Sequence, residues 1–194
     1  MTAAKDWVFV RHGQTDWNHR ELIQGGTDIP LNDRGREQAR GNGRKLHALG
    51  LPPDVPFRVS PMHRAQETAR LVREAMGLTA NGFETVPDLR ELSFGGWEGR
   101  TLVEVWRDDP DPVEARKLDK WSYRPPGGES YADLHARVRP VLETLPERAV
   151  VVSHGGTMRT VIHELTGLPG REAAILEIPQ DRLWRWNGLE GEWL

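Results

Sequence analysis

The chain has 194 residues, a mass of 22.0 kDa and a formal net charge of −3, from 26 basic and 29 acidic side chains. Because it contains no cysteine, disulfide bonds and thiolate metal sites are excluded. The slight negative charge argues against binding to nucleic acid, and no apolar run approaches the roughly 20 residues that span a bilayer.

The first predicted strand is the β-branched and aromatic run Trp7–Val10, which breaks into a polar turn that begins with Arg11 and His12. The strand begins within ten residues of Met1, which leaves no room for the basic and apolar regions of a signal peptide. We therefore expect a soluble, cytoplasmic protein with no contact to membranes.

The next elements alternate between helix and strand. After a polar loop at His19–Pro30, either Asn32 or Asp33 caps a helix that is predicted over Arg34–Leu49. The proline-rich connection that follows leads into a short strand, Phe57–Ser60.

A second strand-to-helix transition follows directly. Ser60 is the predicted N-cap, Pro61 stands at the first helical position, and a helix with an apolar inner face is predicted over Met62–Met76. Glu84–Pro87 is a third candidate strand, and the closely spaced glycines of Leu89–Gly99 indicate a tightly turned loop.

The middle of the chain is less regular. A short helix is predicted over Thr101–Asp108, whereas Asp109–Ser130 is rich in proline and glycine and shows no periodicity. We interpret residues 109–130 as an irregular excursion that covers a pocket. It is not a separate domain, because the segment is too short to form its own hydrophobic core. The whole chain, residues 1–194, is then one domain.

The last third resumes the alternation. Ser130 caps a helix predicted over Tyr131–Leu145, in which Pro140 predicts a kink or an earlier end. Ala149–Val152 reads as a strand buried on both faces, and a helix is predicted over Thr157–Leu165. Three further strands, which we expect to be antiparallel at a sheet edge, are predicted at Ala173–Ile178, Leu183–Trp186 and Glu192–Leu194.

This order of elements predicts an α/β protein, a three-layer α/β/α sandwich with a mainly parallel central sheet. The carboxyl ends of parallel strands lie on one side of such a sheet, where ligands bind. Arg11 and His12 follow the first strand, Arg64 the second, Glu91 the third and His154 the fourth. Any one of these residues could be an ordinary surface charge or a turn residue. Their convergence on one edge of the sheet indicates an active site that binds an anion.

The sequence lacks the motifs of several other enzyme classes. The sequence contains no phosphate-binding loop, no His-Glu-x-x-His pattern and no Gly-x-Ser-x-Gly elbow. We expect no metal and no cofactor. Five histidines scattered over loops and helices are interpreted as structural or surface residues: His19, His47, His63, His135 and His163.

The polar turn resembles a known signature. Residues 11–18, Arg-His-Gly-Gln-Thr-Asp-Trp-Asn, are similar to the Arg-His-Gly-x-Thr-x-Trp-Asn pattern of the phosphoglycerate mutase-like histidine phosphatases. The resemblance continues in the family's order to about Val161, through Gln24-Gly25, Asp28-x-Pro30-Leu31, Ser60-Pro61-x-x-Arg64-Ala65-x-x-Thr68-Ala69, Leu89-x-Glu91, Phe94-Gly95-x-Trp97-Glu98-Gly99, Gly128-Glu129-Ser130 and Ser153-His154-Gly155-Gly156.

This resemblance implies phosphoryl transfer through a phosphohistidine. His12 would be the nucleophile, and Glu91 would protonate the leaving group and then activate water, with Glu98 as the rival carboxylate. The phosphoryl oxygens would be surrounded by Arg11, Asn18, Arg64 and His154, together with Thr15 and Gly155. Tentative specificity residues are Gln24, Gly25, Trp121, Tyr123 and Arg124.

The reaction itself has alternatives. We favour a phosphatase that hydrolyses a small phosphorylated metabolite, because the chain between Glu91 and His154 is short and leaves one loop-rich cover. A cofactor-dependent phosphoglycerate mutase is the main alternative, and a non-catalytic phospholigand-binding module is a third. An edge strand near the C-terminus could also pair two subunits into a homodimer.

Overall fold

The computed structural model describes residues 5–194, whose strands form one six-stranded sheet. The strands are β1 (Asp6–Arg11), β2 (Phe57–Val59), β3 (Glu84–Thr85), β4 (Arg148–Ser153), β5 (Leu183–Trp186) and β6 (Gly191–Trp193). They lie in the order β3-β2-β4-β1-β5-β6. The first four are parallel and the last two antiparallel, which confirms the mainly parallel sheet with antiparallel edge strands.

Helices cover both faces of this sheet. They are α1 (Asp16–His19), α2 (Asp33–Ala48), α3 (His63–Ala75), α4 (Leu102–Asp108), α5 (Pro110–Leu118), α6 (Tyr131–Glu143), α7 (Gly155–Thr166) and α8 (Gly170–Ala173). Of two short 3-10 turns, Gly95–Trp97 lies in the predicted glycine-rich loop, and Pro87–Leu89 begins where the third strand was predicted to end. Within residues 5–194, no helix is both long and apolar enough to cross a bilayer.

The sheet divides two cores, and β1 contributes to both. Its Trp7 and Phe9 pack among the apolar residues of α6 and α7, whereas Val8 and Val10 pack among those of α2 and α3. This alternation follows from the two-residue period of a strand. Because the helices hold β1 and β4 between them, the turns that leave these strands are placed against a rigid support.

The predicted irregular segment at Asp109–Ser130 is wrong in its first half, where α5 forms. Pro110 stands in the first helical turn. Proline lacks only an N–H group there that has no helical partner in any case, so it is compatible with a helix start. Val105 of α4 and Val113 of α5 pack with Trp97, so this part of the cover has its own apolar anchor.

Two further expectations fail for local reasons. The strand predicted at Ala173–Ile178 is absent, because Ala173 ends α8 and irregular backbone follows. A short apolar run cannot by itself distinguish a strand from a helical turn. Pro140 does not end α6 either, which continues to Glu143. Pro140 is exposed, so water can reach the backbone carbonyl that loses its partner.

Candidate active site

The four strand exits meet at one place, as the sequence predicts. Arg11 ends β1 and His12 follows it, Arg64 lies in the first turn of α3, and His154 directly precedes α7. The ring centroids of His12 and His154 are 5.1 Å apart. Glu91 is close enough for its charge to act on both Arg11 and Arg64. The tertiary fold therefore gathers residues that are up to 143 positions apart, His154 and Arg11, around one buried point.

His12 is set up as a neutral imidazole with one free nitrogen. The ring is buried, and its Nδ1 lies 2.8 Å from the carbonyl oxygen of Gly13. An N–H at Nδ1 donates to that carbonyl, which leaves the lone pair on Nε2. Burial, followed by the positive charges of Arg64 and Arg11, holds the pKa of His12 well below its usual value of 6.5. The imidazole is therefore neutral at pH 7.

The lowered pKa of His12 predicts its titration. Because the folded-state value is depressed, the ring stays neutral as the pH falls through 6.5, and it gains a proton only at markedly lower pH. In an NMR titration of ¹³C-labelled histidine, the His12 signal should keep its neutral shift as the pH falls through 6.5. The signal is assigned by its loss in His12→Asn. A His12 midpoint near 6.5 would contradict the electrostatic environment described here.

The two arginines of the site are held by carbonyl oxygens. Arg64 is buried and donates from Nη1 to Thr27 and from Nη2 to Gly25, each at 2.8 Å, and it forms an ion pair with Asp28 at 3.3 Å. Arg11 donates from Nη1 to the carbonyl of Ile178 at 2.6 Å. Arg11 is thus held through Nη1 and Arg64 through both Nη atoms, while the Nε of each guanidinium has no protein acceptor.

Several donors in this site have no protein acceptor. Six buried side-chain nitrogen or oxygen atoms within residues 5–194 lack a hydrogen-bond partner, and four of them belong to predicted site residues. These four are Arg11 Nε, Gln24 Nε2, Arg64 Nε and His154 Nδ1. Buried donors without acceptors are costly, so their concentration here indicates a ligand rich in acceptor oxygens.

His154 has a partner that the sequence did not indicate. Its Nε2 lies 2.6 Å from the hydroxyl of Ser60, and Ser60 also accepts a hydrogen bond from the N–H of Met62 at 3.3 Å. The hydroxyl can donate its proton to Nε2 while it accepts from Met62, and in this tautomer the imidazole proton lies on Nδ1, the nitrogen without a protein partner. Ser60 was predicted as a helix cap, but α3 begins two residues later after Met62.

Removal of the Ser60 hydroxyl should therefore weaken catalysis without unfolding the protein. In Ser60→Ala, His154 can adopt the other tautomer and its ring is less firmly oriented, so we expect kcat/KM to fall about 10-fold or more. The matched control is Ser153→Ala, because the Ser153 hydroxyl is also buried but has no hydrogen-bond partner. Steady-state kinetics check both variants, and equal losses in the two would contradict the positioning role of Ser60.

The two candidate carboxylates have different surroundings. Glu91 accepts hydrogen bonds from the backbone N–H groups of Leu92, Gly156 and Thr157 at 2.9, 3.0 and 3.3 Å, which orient it at the start of α7. A Cβ at position 156 would collide with this carboxylate and displace it, so glycine there permits its position. Glu98 is instead occupied by backbone and side-chain donors of two loops, namely Gly26, Thr27, Ser93 and Phe94.

The loop after β1 is organised by Gln24. Its Oε1 accepts from the Thr15 hydroxyl at 2.9 Å and from Asn18 Nδ2 at 3.2 Å. Thr15 also caps α1 by accepting from the Asn18 N–H, so its hydroxyl is used within the loop and does not support the predicted phosphate contact. Gln180 was missed: its Nε2 donates to the His12 carbonyl and to Asn18 Oδ1, at 3.1 and 2.9 Å. No local signal marks it.

The other predicted specificity residues divide between the site and the cover. The carbonyl of Gly25 accepts a hydrogen bond from Arg64, so Gly25 lies beside a predicted phosphate-binding residue. Trp121 stacks on Tyr131, Tyr123 stacks on Trp97, and Arg124 forms an ion pair with Asp133. None of these three cover residues lines the cleft at the site. The structure gives them packing and surface roles.

A cleft opens beside the buried residues. It has a volume of about 470 Å³ and is lined by Arg11, Asn18 and Gln180 on one side and by Leu102 and Val103 on another. Arg159 of α7 was not identified from the sequence. Its guanidinium lies near that of Arg11, since both come within 4 Å of the position that a Cβ on Gly155 would take. Burial and the charge of Arg159 lower the pKa of Arg11 to about 10.

The surroundings suit a phosphoryl group bound by protein donors. Arg11, Arg64 and His154 supply the donors. Within residues 5–194, no cluster of three or more His, Asp or Glu side chains is placed to hold a metal ion. The arrangement can therefore bind an oxyanion against the free nitrogen of His12 and beside the carboxylate of Glu91.

Known proteins are similar to this chain over most of its length. A 2,3-bisphosphoglycerate-dependent phosphoglycerate mutase from Chelativorans sp. is 37% identical over 183 residues, 88% of this chain and 86% of that relative. The solved structure of a putative α-ribazole-5′-P phosphatase from Escherichia coli is 28% identical with a TM-score of 0.80, covering 98% of this chain and 95% of that one. A mycobacterial glucosyl-3-phosphoglycerate phosphatase is 29% identical, also with a TM-score of 0.80, and covers 94% of this chain and 89% of that one.

The family assignment rests on nearly the whole length. The model of the histidine phosphatase superfamily, branch 1, matches residues 7–192, which include every residue of the site and all of the sheet except the first residue of β1 and the last of β6. The predicted resemblance is thereby confirmed, together with the fold. The chain belongs to the histidine phosphatase superfamily, branch 1.

Proposed function

We propose that the protein hydrolyses a phosphomonoester through a phosphohistidine formed on His12. The observation that carries this proposal is the neutral, buried His12, whose Nδ1 bonds to the Gly13 carbonyl and whose ring lies 5.1 Å from that of His154, one of the residues with an unpaired buried nitrogen. A nucleophile beside fixed positive charges is what phosphoryl transfer requires, since positioning and charge stabilisation supply most of its catalysis.

In the first step, His12 Nε2 attacks phosphorus and the bond between phosphorus and the ester oxygen breaks. Arg11, Arg64 and the Nδ1–H of His154 hold the phosphoryl oxygens as their charge shifts. Glu91, in its acid form, gives its proton to the departing alkoxide. The alcohol then leaves through the cleft lined by Asn18 and Gln180.

In the second step, the Glu91 carboxylate takes a proton from water. The oxygen of that water attacks phosphorus, the bond to His12 Nε2 breaks, and inorganic phosphate is released. The three backbone N–H groups that hold Glu91 keep it at one position through both steps. Hydrolysis needs water to reach the phosphohistidine, and the open cleft of about 470 Å³ supports that access.

A phosphoglycerate mutase is the second candidate, and the sequence relatives favour it. The Chelativorans relative bears that activity in its name, and the alignment covers 86% of its length, so a large difference in length does not separate the two chains. Two solved structures named as phosphatases cover nearly the whole chain, which supports hydrolysis. The two reactions share the first step and differ in the acceptor of the phosphoryl group.

The two reactions are distinguished by whether the phosphoryl group is transferred to phosphoglycerate or to water. The enzyme is given 3-phosphoglycerate with a trace of 2,3-bisphosphoglycerate, and both 2-phosphoglycerate and inorganic phosphate are quantified over time. A parallel series of other phosphomonoesters is assayed with and without a chelator. We expect phosphate release that the chelator does not affect.

Three outcomes would revise the proposal. Formation of 2-phosphoglycerate well ahead of inorganic phosphate would assign the mutase reaction. Chelator-sensitive turnover would indicate a metal-dependent reaction. Unchanged turnover in His12→Ala would exclude the phosphohistidine route altogether.

A further inference from the structure

Exposed apolar side chains are concentrated around the entrance to the active site. Within residues 5–194, six large apolar side chains are exposed, and three of them lie on α4: Leu102 at 45%, Val103 at 74% and Trp106 at 49%. Leu118 and Ile175 line an adjoining groove, which leaves only Leu189 elsewhere. Scattered exposed apolar residues need no explanation, whereas a contiguous group beside a catalytic cleft indicates a binding surface.

The groove on α4 is continuous with the catalytic cleft. It has a volume of about 290 Å³ and is lined by Leu102, Val103, Trp106, Val113, Arg116 and Lys117. Leu102 and Val103 also line the cleft that contains Arg11 and Asn18. A molecule whose phosphate lies against Arg11 can therefore extend past Leu102 and Val103 into the groove.

The exposed residues of α4 are not needed for the fold. The helix is anchored through Val105, which is buried with Val113 of α5 against Trp97. A capping box between Thr101 and Glu104 begins the helix. Leu102, Val103 and Trp106 are thus free to contact a ligand, and the groove has a rigid floor.

The position of the groove indicates its occupant better than its charge does. Residues 102–118 carry five acidic and three basic side chains, but the two charged residues that line the groove, Arg116 and Lys117, are both basic. The continuity with the phosphate site favours part of the substrate over a second protein or a membrane surface.

We propose that this groove binds the apolar body of the leaving group, so that the preferred substrates are phosphomonoesters of alcohols with an alkyl or aryl portion. This inference rests on the proposed function, since the groove receives the alcohol part of the ester that His12 attacks. Val103, the most exposed of the three residues, is the leading specificity determinant.

A series of n-alkyl phosphates tests the inference. Ethyl, butyl, hexyl and octyl phosphate differ little in leaving-group basicity, so the change of kcat/KM with chain length measures apolar contact. We expect kcat/KM to rise by about two- to fourfold per methylene until the groove is filled. Val103→Asp should flatten this dependence, whereas Val103→Leu should retain it. Leu189→Asp, at the remote exposed residue, is the matched control and should leave the dependence unchanged.

The failures of the two proposals are distinguishable. Phosphate release that depends on His12 but not on chain length overturns the apolar subsite and leaves the proposed hydrolysis intact. No release from any ester overturns the proposed hydrolysis and the subsite with it. Sedimentation velocity tests whether a second copy of the chain occupies the groove. If the wild type is a dimer and Val103→Asp is a monomer, the groove is a subunit interface and the inference is overturned.

Discussion

Replacement of His12 by alanine is expected to lower kcat for phosphomonoesters by at least about 10⁴-fold. The variant keeps Arg11 and Arg64, so the phosphate of the substrate can still bind. It has no nucleophile to form the phosphohistidine, so the two-step route is lost. Rapid-quench labelling with a ³²P-labelled ester should show an acid-labile, base-stable phosphoenzyme in the wild type and none in the variant. The fold should survive, because the ring makes one hydrogen bond, to Gly13.

Two other histidines provide controls for this result. His19→Ala changes an exposed residue seven positions along the same segment and should retain normal turnover and labelling. His154→Ala removes the other buried imidazole of the site, so it should slow labelling without moving it to another residue. Persistent labelling in His12→Ala would place the covalent step on a different side chain.

Replacement of Glu91 by glutamine is expected to lower kcat by about 10²- to 10⁴-fold, the usual contribution of a general acid–base group. With an activated ester such as 4-nitrophenyl phosphate, the leaving group needs little protonation, so the loss should fall mainly on hydrolysis of the phosphohistidine. Labelled phosphoenzyme should therefore accumulate, and a burst of nitrophenol should precede slow turnover. Rapid-quench and stopped-flow measurements detect both signs.

Glu98→Gln is the matched control, because Glu98 was the rival carboxylate. Its carboxylate accepts charge-assisted hydrogen bonds from Gly26, Thr27 and Phe94, and so joins two loops beneath the site. This variant should lower the melting temperature by several degrees while largely retaining kcat, the reverse of the pattern for Glu91. If Glu98→Gln accumulates phosphoenzyme and Glu91→Gln does not, the two roles are exchanged.

Local patterns in the sequence were sufficient for most elements and for the principal residues of the site. Hydrophobic periodicity and capping residues placed α2 and α6 to within two residues, with Asn32 and Ser130 confirmed as N-caps. The exits of four predicted strands identified Arg11, His12, Arg64, Glu91 and His154 before any contact was known. These predictions succeed because helix and strand periods and caps depend on neighbours within a few positions.

Only the tertiary structure decided which groups support those residues. Ser60 looked like a helix cap but hydrogen-bonds His154, 94 positions away, and Gln180 contacts the backbone of His12 across 168 positions. Trp121 and Tyr123 were predicted as specificity residues but stack on Tyr131 and Trp97, while Val103 lines the cleft. A hydrogen bond or an exposed face of this kind depends on how distant segments pack, and local sequence carries no signal of that distance.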